Sequence, residues 1–546
     1  MIRIPLLLLL LAAICFGFAR EAVAQHYYLP LNNEYMARYD SALYRVNSAV
    51  HTSVKPYISN EVAEQMPLDT LESYRTPGTK FYNTRVGRKL FREHLLQVAE
   101  DDYFLYGDIN FEFNMGRSME TGGDKNTFIN SRGITVGGTF GRRFSFNSTF
   151  VESQSTFSGY LDSAIRKTYV VPGASRIKNY EDKFDYGTAF GSIAYSLKKH
   201  FSFQFGHDKN FIGDGYRSML LSDNSYNYPF FKINANFWKV KYMVLYALFQ
   251  DGPYPRVNDD ETFRRKYGTF HYLDINIGKR FTFGVLESII WDYEEHRGFD
   301  IYYLNPVIFL RPVEFSIGSP DNALIGFNLK YKLSSRLYTY GQIMLDEFKI
   351  QEVTAGDGWW GNKQAFQVGF RAFSVFGIRR LDISSEFNYA RPFTYQHWQT
   401  ETAYAHYNQP LAHPLGGNFM ESVSTLNYSW KRWHLLARAM YAVVGYDYSP
   451  TGATVDTAGN PINYGNNVLL SYDDREDDYG NKTLQGLETT VINGEMRIWY
   501  LLNPASNMVL EAGTRVRRAE NDLTTDNTLF LFVGFRTNLV NRYFDF

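Results

Sequence analysis

From Asp101 onward apolar and polar residues alternate with a period of two, and the alternation persists well beyond the roughly five or six residues of a typical globular strand. The clearest case sets Ile109, Phe111, Phe113 and Met115 against Asp108, Asn110, Glu112 and Asn114. The split recurs at Leu273, Ile275 and Ile277, at Ile325, Phe327 and Leu329, and at Leu381, Ile383 and Phe387. Strands of this length match a tilted membrane crossing. The pattern predicts strands at 103–116, 131–141, 144–153, 185–197, 200–207, 230–238, 240–249, 270–278, 281–290, 323–332, 335–345, 363–373, 378–389, 424–430, 433–445, 487–500, 504–517 and 527–539.

Alternation alone does not say which face is core, because a soluble sandwich would bury the apolar face. The connections separate the two cases. Short ones fall at 142–143, 198–199, 239, 279–280, 333–334, 374–377, 431–432 and 501–503. Long ones alternate with them at 117–130, 154–184, 208–229, 250–269, 291–322, 346–362, 390–423, 446–486 and 518–526. Tight turns at one end and long loops at the other describe an all-β, antiparallel up-and-down transmembrane barrel of about eighteen strands. An even count brings both barrel ends to the periplasmic side. The terminal Phe546, with Tyr543 and Phe544 nearby, resembles a C-terminal assembly signal, with Asn541 and Arg542 interrupting its pattern. Basic residues in several short turns, beside Trp238, Trp430 and Trp433, are those expected at a membrane rim.

Upstream of the barrel the period changes. Tyr39, Leu43, Val46 and Val50 share a helical spacing, as do Val86, Leu90 and Val98, with breaks at Pro67 and Pro77-Gly78. Residues 25–100 are therefore expected to form short periplasmic helices on the barrel mouth, with the barrel over 101–546. Residues 1–24 read as a cleaved secretory signal: Arg3, an apolar run over 4–18, and Ala22-Val23-Ala24 before Gln25. Cys15, the sole cysteine, lies in that segment, so the mature chain is expected to hold neither thiol nor disulfide. Ile14 before it does not suit a lipoprotein signal.

Composition supports the outer-membrane reading. Aromatics make up 17% of the chain, with Tyr 42 and Phe 44 against Trp 8, which suits strands with interfacial girdles. A mean hydropathy of -0.33 would ordinarily suggest a soluble protein, but the aromatic-rich composition argues otherwise. The net charge of -1 gives no electrostatic footing for nucleic acid.

Candidate chemistry lies in the long loops. The run from His207, Asp208 and Lys209 through Asp214 to Arg217 is glycine-rich, but no helix follows it to bind a phosphate. It is read as a loop folded into the lumen, with Asp208, Lys209, Asp214 and Arg217 pairing there. His397, His406 and His413 fit no tight metal-ligand spacing, so neither a metal nor another cofactor is expected. His207 and Asp208 are adjacent on a strand and point to opposite faces, which argues against a catalytic pair and against an enzyme. Asp357, Trp359 and Trp360 in one loop, and His397, Trp398 and Tyr404 in another, are candidate sugar contacts: aromatic faces for ring surfaces, polar groups for hydroxyls.

Gly213-Asp214-Gly215-Tyr216-Arg217-Ser218 with Leu220-Leu221-Ser222-Asp223, Tyr303-Leu304-Asn305-Pro306 and His413-Pro414-Leu415-Gly416 resemble motifs of the capsule-assembly Wzi family, which includes the gliding-motility barrel RemB. The resemblance spans most of the mature chain. It implies an eighteen-stranded outer-membrane barrel with periplasmic helices, acting as a surface lectin that helps hold capsular polysaccharide. The RemB-like relatives keep a motility or adhesion role with a protein partner open, and the charged lumen keeps a diffusion porin open.

Overall fold

The computed structural model describes residues 26–66, 80–180, 183–198, 200–252, 263–293, 298–449, 451–457, 459, 461–537 and 540–546. The signal segment, Pro67 and the Pro77-Gly78 break lie outside them.

Eighteen antiparallel strands close on themselves. They are β1 Tyr103–Glu120, β2 Lys125–Phe140, β3 Phe144–Thr156, β4 Lys183–Leu197, β5 Phe201–Asp208, β6 Tyr228–Phe237, β7 Val240–Asp251, β8 Arg264–Ile277 and β9 Phe281–Asp292. They continue as β10 Asn322–Ser334, β11 Leu337–Glu347, β12 Lys363–Ala372, β13 Leu381–Ala390, β14 Phe419–Trp430, β15 Trp433–Tyr446, β16 Leu487–Asn503, β17 Met508–Glu520 and β18 Thr525–Arg536. Neighbours in sequence pair in order, and β18 meets β1 along Thr528↔Glu120 to Arg536↔Glu112. Where β18 ends, a short strand Leu96–Ala99 takes over the exposed edge of β1, from Leu96↔Gly107 to Ala99↔Phe104.

Burial fixes which face is which. Ile109, Phe113 and Met115 are exposed while Asn110 and Glu112 are buried, and the same inversion holds for Phe205, Ile325, Val368, Ile492 and Val533 against Gln204, Asn328, Gln367 and Asn493. Apolar outside and polar inside is the pattern of a barrel whose solvent is lipid. Trp238, Trp430 and Trp433 are exposed at the short-turn end. Among the described residues no helix is long and apolar enough to cross a membrane.

Each expected strand is present, with corrected limits. β2, β8 and β14 begin earlier than the alternation indicates, at Lys125, Arg264 and Phe419. Their added residues, such as Lys125-Asn126-Thr127 and Arg264-Arg265-Lys266, are polar because the strands rise past the apolar band. Two of the expected long connections, 117–130 and 518–526, are reduced to turns at 121–124 and 521–524, because β1 runs on to Glu120 before β2 starts at Lys125, and β17 runs on to Glu520 before β18 starts at Thr525.

The lumen is filled from both ends. Helix α1, Asn33–Leu43, enters the short-turn end; the Asn32 side chain accepts from Tyr35 N–H and caps it. Tyr39 and Leu43 are buried on this helix, which stops at Leu43, so Val46 and Val50 are not helical. Tyr44 turns instead onto Tyr338 of β11, ring centroids 4.1 Å apart and nearly parallel. A second helix, α2, spans Ser59–Ala63, and a third, α3 Arg85–Phe91, holds Val86 and Leu90. Val98 belongs to the short edge strand, because its neighbours pair with β1 rather than continue a helix.

From the other end, loop 209–227 descends between β5 and β6, and its Phe211–Ile212 pairs with Val54–Lys55 to form a two-stranded sheet inside the barrel. Met219, Leu220 and Leu221 are fully buried in an apolar core with Leu245, Leu286, Leu324 and Met344 of the wall. Gly326 permits this: a Cβ there would lie 2.4 Å from Leu220 Cδ2.

The last strand ends at Arg536, and residues 540–546 turn back into the lumen. Tyr543 donates to Asp223 at 2.6 Å, and Arg517 of β17 donates to the Phe546 carbonyl at 3.0 Å. The final strand thus ends three residues before the expected limit at 539, and Phe546 lies beyond it in the returning tail. The aromatic residues that look like a strand terminus are packing residues, with Phe544 against Phe157 of the loop after β3.

Candidate functional site

Three long loops converge at the open mouth: 348–362 after β11, 391–418 after β13 and 447–486 after β15. They are laced by backbone hydrogen bonds. Trp360 N–H donates to the Asp478 carbonyl at 3.0 Å, Gly480 N–H to the Asp357 carbonyl at 2.8 Å and Asn481 N–H to the Gly358 carbonyl at 2.9 Å. The Ser471 hydroxyl donates to the Trp398 carbonyl at 2.8 Å.

This lacing brings Trp359, Trp360, His397 and Trp398 into one aromatic cluster. Its centre is Tyr472, which the sequence reading missed. Tyr472 lies 4.5 Å from Trp360 and 5.9 Å from His397, centroid to centroid, and Trp360 lies 5.7 Å from Trp359. No local signal marks Tyr472 among the many tyrosines; only its long-range placement does. The Arg475 guanidinium covers Trp360 at 4.3 Å and Lys349 covers Trp359 at 4.4 Å. Trp359 is nearly buried, so it serves as a floor, whereas Trp398 is 42% exposed. Asp357 is exposed at the edge, with Asp474 and Asp477.

His397 is buried and shares a 2.5 Å hydrogen bond with the Thr402 hydroxyl. Burial, reinforced by the Lys363 ammonium, pushes its imidazole down to about 3, so it is neutral at physiological pH. Tyr404 does not join the cluster. It is fully buried, stacked with Tyr395, and donates to the Leu220 carbonyl at 2.6 Å, because its loop folds over the descending loop 209–227. A Tyr404 contact with an external sugar is corrected accordingly.

In the lumen motif Lys209, Asp214, Arg217 and His413 are buried and His207 and Asp208 half-buried, and their partners are mostly the wall rather than one another. Asp214 accepts from Thr52 at 2.5 Å and Tyr44 at 2.9 Å and lies 3.4 Å from Lys330 of β10. Burial raises the Asp214 carboxyl, and Lys330, Lys55 and Thr52 outweigh it, holding it below its ordinary value. Arg217 lies between Glu421 of β14, 2.8 Å away, and Asp545 of the returning tail, 3.2 Å away. Glu386 of β13 accepts both Tyr216 and Arg217 N–H groups at 2.9 Å. Gly215 passes so close that a Cβ would meet Glu386 Oε2 at 2.5 Å. Lys209 reaches the Gly173 and Asp223 carbonyls at 2.8 and 3.0 Å, and its own N–H donates to Asp208, the one contact kept within the expected set. His207 contacts the Asn227 carbonyl at 3.1 Å.

The three loop histidines are apart in role. His406 accepts from Gln250 N–H at 3.0 Å, and His413 meets Glu421 at 2.8 Å. Among the described residues no three His, Cys, Asp or Glu side chains are grouped to hold a metal ion. One cavity of about 220 Å³ persists in the lumen, between α1, the returning tail and the charged wall that includes Arg438, Arg497, Arg515 and Arg536. Its arginines are interleaved with Glu34, Glu112, Glu495 and Glu511, so its charges are largely paired.

An outward apolar band, a polar lumen and two inward plugs define a closed transmembrane-type barrel whose exposed chemistry is at the long-loop mouth. No family model matches the chain, and no curated protein does. Among solved structures it is similar to Wzi, described as an outer-membrane protein involved in group 1 capsule assembly in Escherichia coli and a carbohydrate-binding β-barrel. The TM-score is 0.53 at 13% identity, over 94% of this chain and 99% of that one. Pseudomonas aeruginosa OprD matches with TM-score 0.40 at 10% identity, over 79% and 94% of the two chains. OpdK from the same organism, solved with vanillate, matches with TM-score 0.43 at 7% identity, over 80% and 98%. At these identities the likeness concerns the fold.

Proposed function

We propose that the protein is a non-enzymatic outer-membrane barrel that binds surface or capsular polysaccharide and helps attach it to the cell. The carrying observation is the cluster of Trp360, Tyr472, Trp398 and His397, gathered from three loops at the long-loop mouth. The exposed Trp398 and the half-buried Trp360, backed by buried Tyr472 and His397, suit the C–H surfaces of sugar rings, and the exposed Asp357, Asp474 and Asp477 suit hydroxyl donors. In this reading the long loops face outward, and the short turns and residues 26–66 face the periplasm. The signal segment accounts for export. The doubly plugged lumen disfavours a diffusion porin.

The test is a clean deletion in the native host, with polysaccharide quantified separately on cells and in the medium beside a complemented strain. A shift from cells to medium at unchanged total supports attachment. An unchanged distribution overturns it and turns attention to motility or adhesion with a protein partner.

A further inference from the structure

The connection between β9 and β10 does not stand above the mouth. Its residues 298–318 lie against the outer wall of the barrel, over β7, β8 and β9. The wall side chains that meet it point outward: Leu286 and Leu245 belong to the lumen core, so their neighbours Glu287 and Tyr246 face away from it. Helix α4, Leu310–Ile317, with Tyr303, packs onto outward-facing Ile289 and Trp291.

Two features coincide in this segment. First, part of its irregular backbone is met by side chains of the wall. Tyr242 donates to the Pro306 carbonyl at 2.7 Å and Tyr246 to the Leu304 carbonyl at 2.6 Å. Glu287 accepts Leu310 and Arg311 N–H at 2.8 and 2.6 Å, and within the segment the Asn305 side chain accepts Val307 N–H at 3.1 Å. Second, its other face is open and mainly apolar: Ile301 is 75% exposed, Val307 80%, Phe309 76% and Phe315 82%, with Tyr302, Asn305 and Ser316 exposed among them. The charged Arg311 on this face is matched by Glu314 at 2.8 Å.

The segment sits at the level of the apolar band. Glu287 pairs in register with Ile325, which is exposed, and the row through Tyr246 continues via Phe231 and Phe205 to Ile193, all exposed apolar residues. Irregular backbone persists in hydrocarbon only where its polar groups are matched by protein. A water-exposed loop has no need of a glutamate and two tyrosines placed on the lipid face of the wall to meet it.

We infer that residues 298–318 form a strap embedded in the lipid hydrocarbon beside the barrel, with Ile301, Val307, Phe309 and Phe315 contacting acyl chains. The inference rests on the membrane reading of the barrel and is independent of what the mouth binds. It is tested on the full mature chain in phosphatidylcholine vesicles. Single nitroxide labels are placed at Phe309→Cys and Phe315→Cys, with Phe205→Cys as a band control and Trp398→Cys as an aqueous control. Heat-modifiable gel mobility checks folding. The expected ratio of oxygen to nickel-chelate collision at 309 and 315 matches that at 205 and is several-fold above that at 398. A ratio equal to that at 398, or label shielded from both reagents, overturns the strap, the second result by showing cover from protein. An aqueous reading at 205 removes the membrane assignment itself and is distinguishable from failure of the strap alone.

Discussion

Arg217, carried into the lumen by loop 209–227, donates to Glu421 of β14 at 2.8 Å, and both side chains are sealed from solvent. On its other side the same guanidinium lies 3.2 Å from Asp545. One cation thus ties the descending loop, the wall and the returning tail together. Removing one partner of such a buried set leaves uncompensated charge. Arg217→Ala is expected to destabilise the folded barrel by about 3–5 kcal/mol, read as a lower urea midpoint. Arg217→Lys is expected to recover only part of this, because an ammonium lacks the planar fork that serves two carboxylates.

The two plugs predict the electrical behaviour. The chain reconstituted in a planar bilayer is expected to show no large steady conductance. Deleting residues 26–66 leaves loop 209–227 in place, and shortening that loop leaves α1, so each single deletion is expected to conduct weakly. Only the double deletion is expected to give large open steps. A large steady conductance in the unaltered chain would sink the plugged-lumen account.

Acid is expected to loosen the short-turn plug. Glu34 of α1 pairs with Arg497 of β16 and, at 2.9 Å, with Arg536 of β18. Burial works to raise its carboxyl, but the two guanidinium groups outweigh it and hold it at about 2. In the unfolded chain the value is near 4.5. The stabilisation is therefore fully present above about pH 4.5 and is lost as pH falls toward 2. Hydrogen exchange across residues 33–43 is expected to accelerate over that window. Glu34→Gln is expected to flatten the response.

At the mouth, Trp360→Ala and Trp398→Ala are each expected to weaken glycan binding by roughly tenfold, on the order of 1.4 kcal/mol; Trp398→Ala leaves the urea midpoint in place, while Trp360→Ala also lowers it because Trp360 packs on Trp359, Tyr472 and Arg475. Tyr404→Phe is expected to do the reverse. It loses the bond to the Leu220 carbonyl, costing about 1 kcal/mol of stability, and leaves affinity unchanged. Because His397 stays neutral down to about pH 3, its titration is expected to leave binding flat between about pH 5 and 8, measured by calorimetry at each pH.

The wall was legible because every strand must repeat the same two-sided pattern, and Ile109 to Met115 already display it. Strand ends were less legible where polar tips such as Arg264-Arg265-Lys266 leave the apolar band and local alternation stops reporting on pairing. The descent of loop 209–227 could be inferred from buried-type charges among glycines, but not its partners, since Glu421 and Lys330 lie more than a hundred residues away in sequence. Tyr472 and the returning tail were invisible for the same reason: their roles are set by long-range packing, and an aromatic residue looks alike in a girdle, a strand terminus or a core. The segment over 298–318 reads as an ordinary long loop, because the outward Glu287 that receives it looks in sequence like one more polar residue of a strand.

The small sheet between Val54–Lys55 and Phe211–Ile212 joins two pieces of chain that enter the barrel from opposite mouths. It therefore makes a continuous mechanical path through the molecule. A pull on the outer loops reaches loop 209–227 through contacts such as the Tyr404 bond to Leu220, crosses the sheet's hydrogen bonds, and arrives at α1 on the far side. Force on the outer loops thus has a route to the inner opening that does not run through the wall.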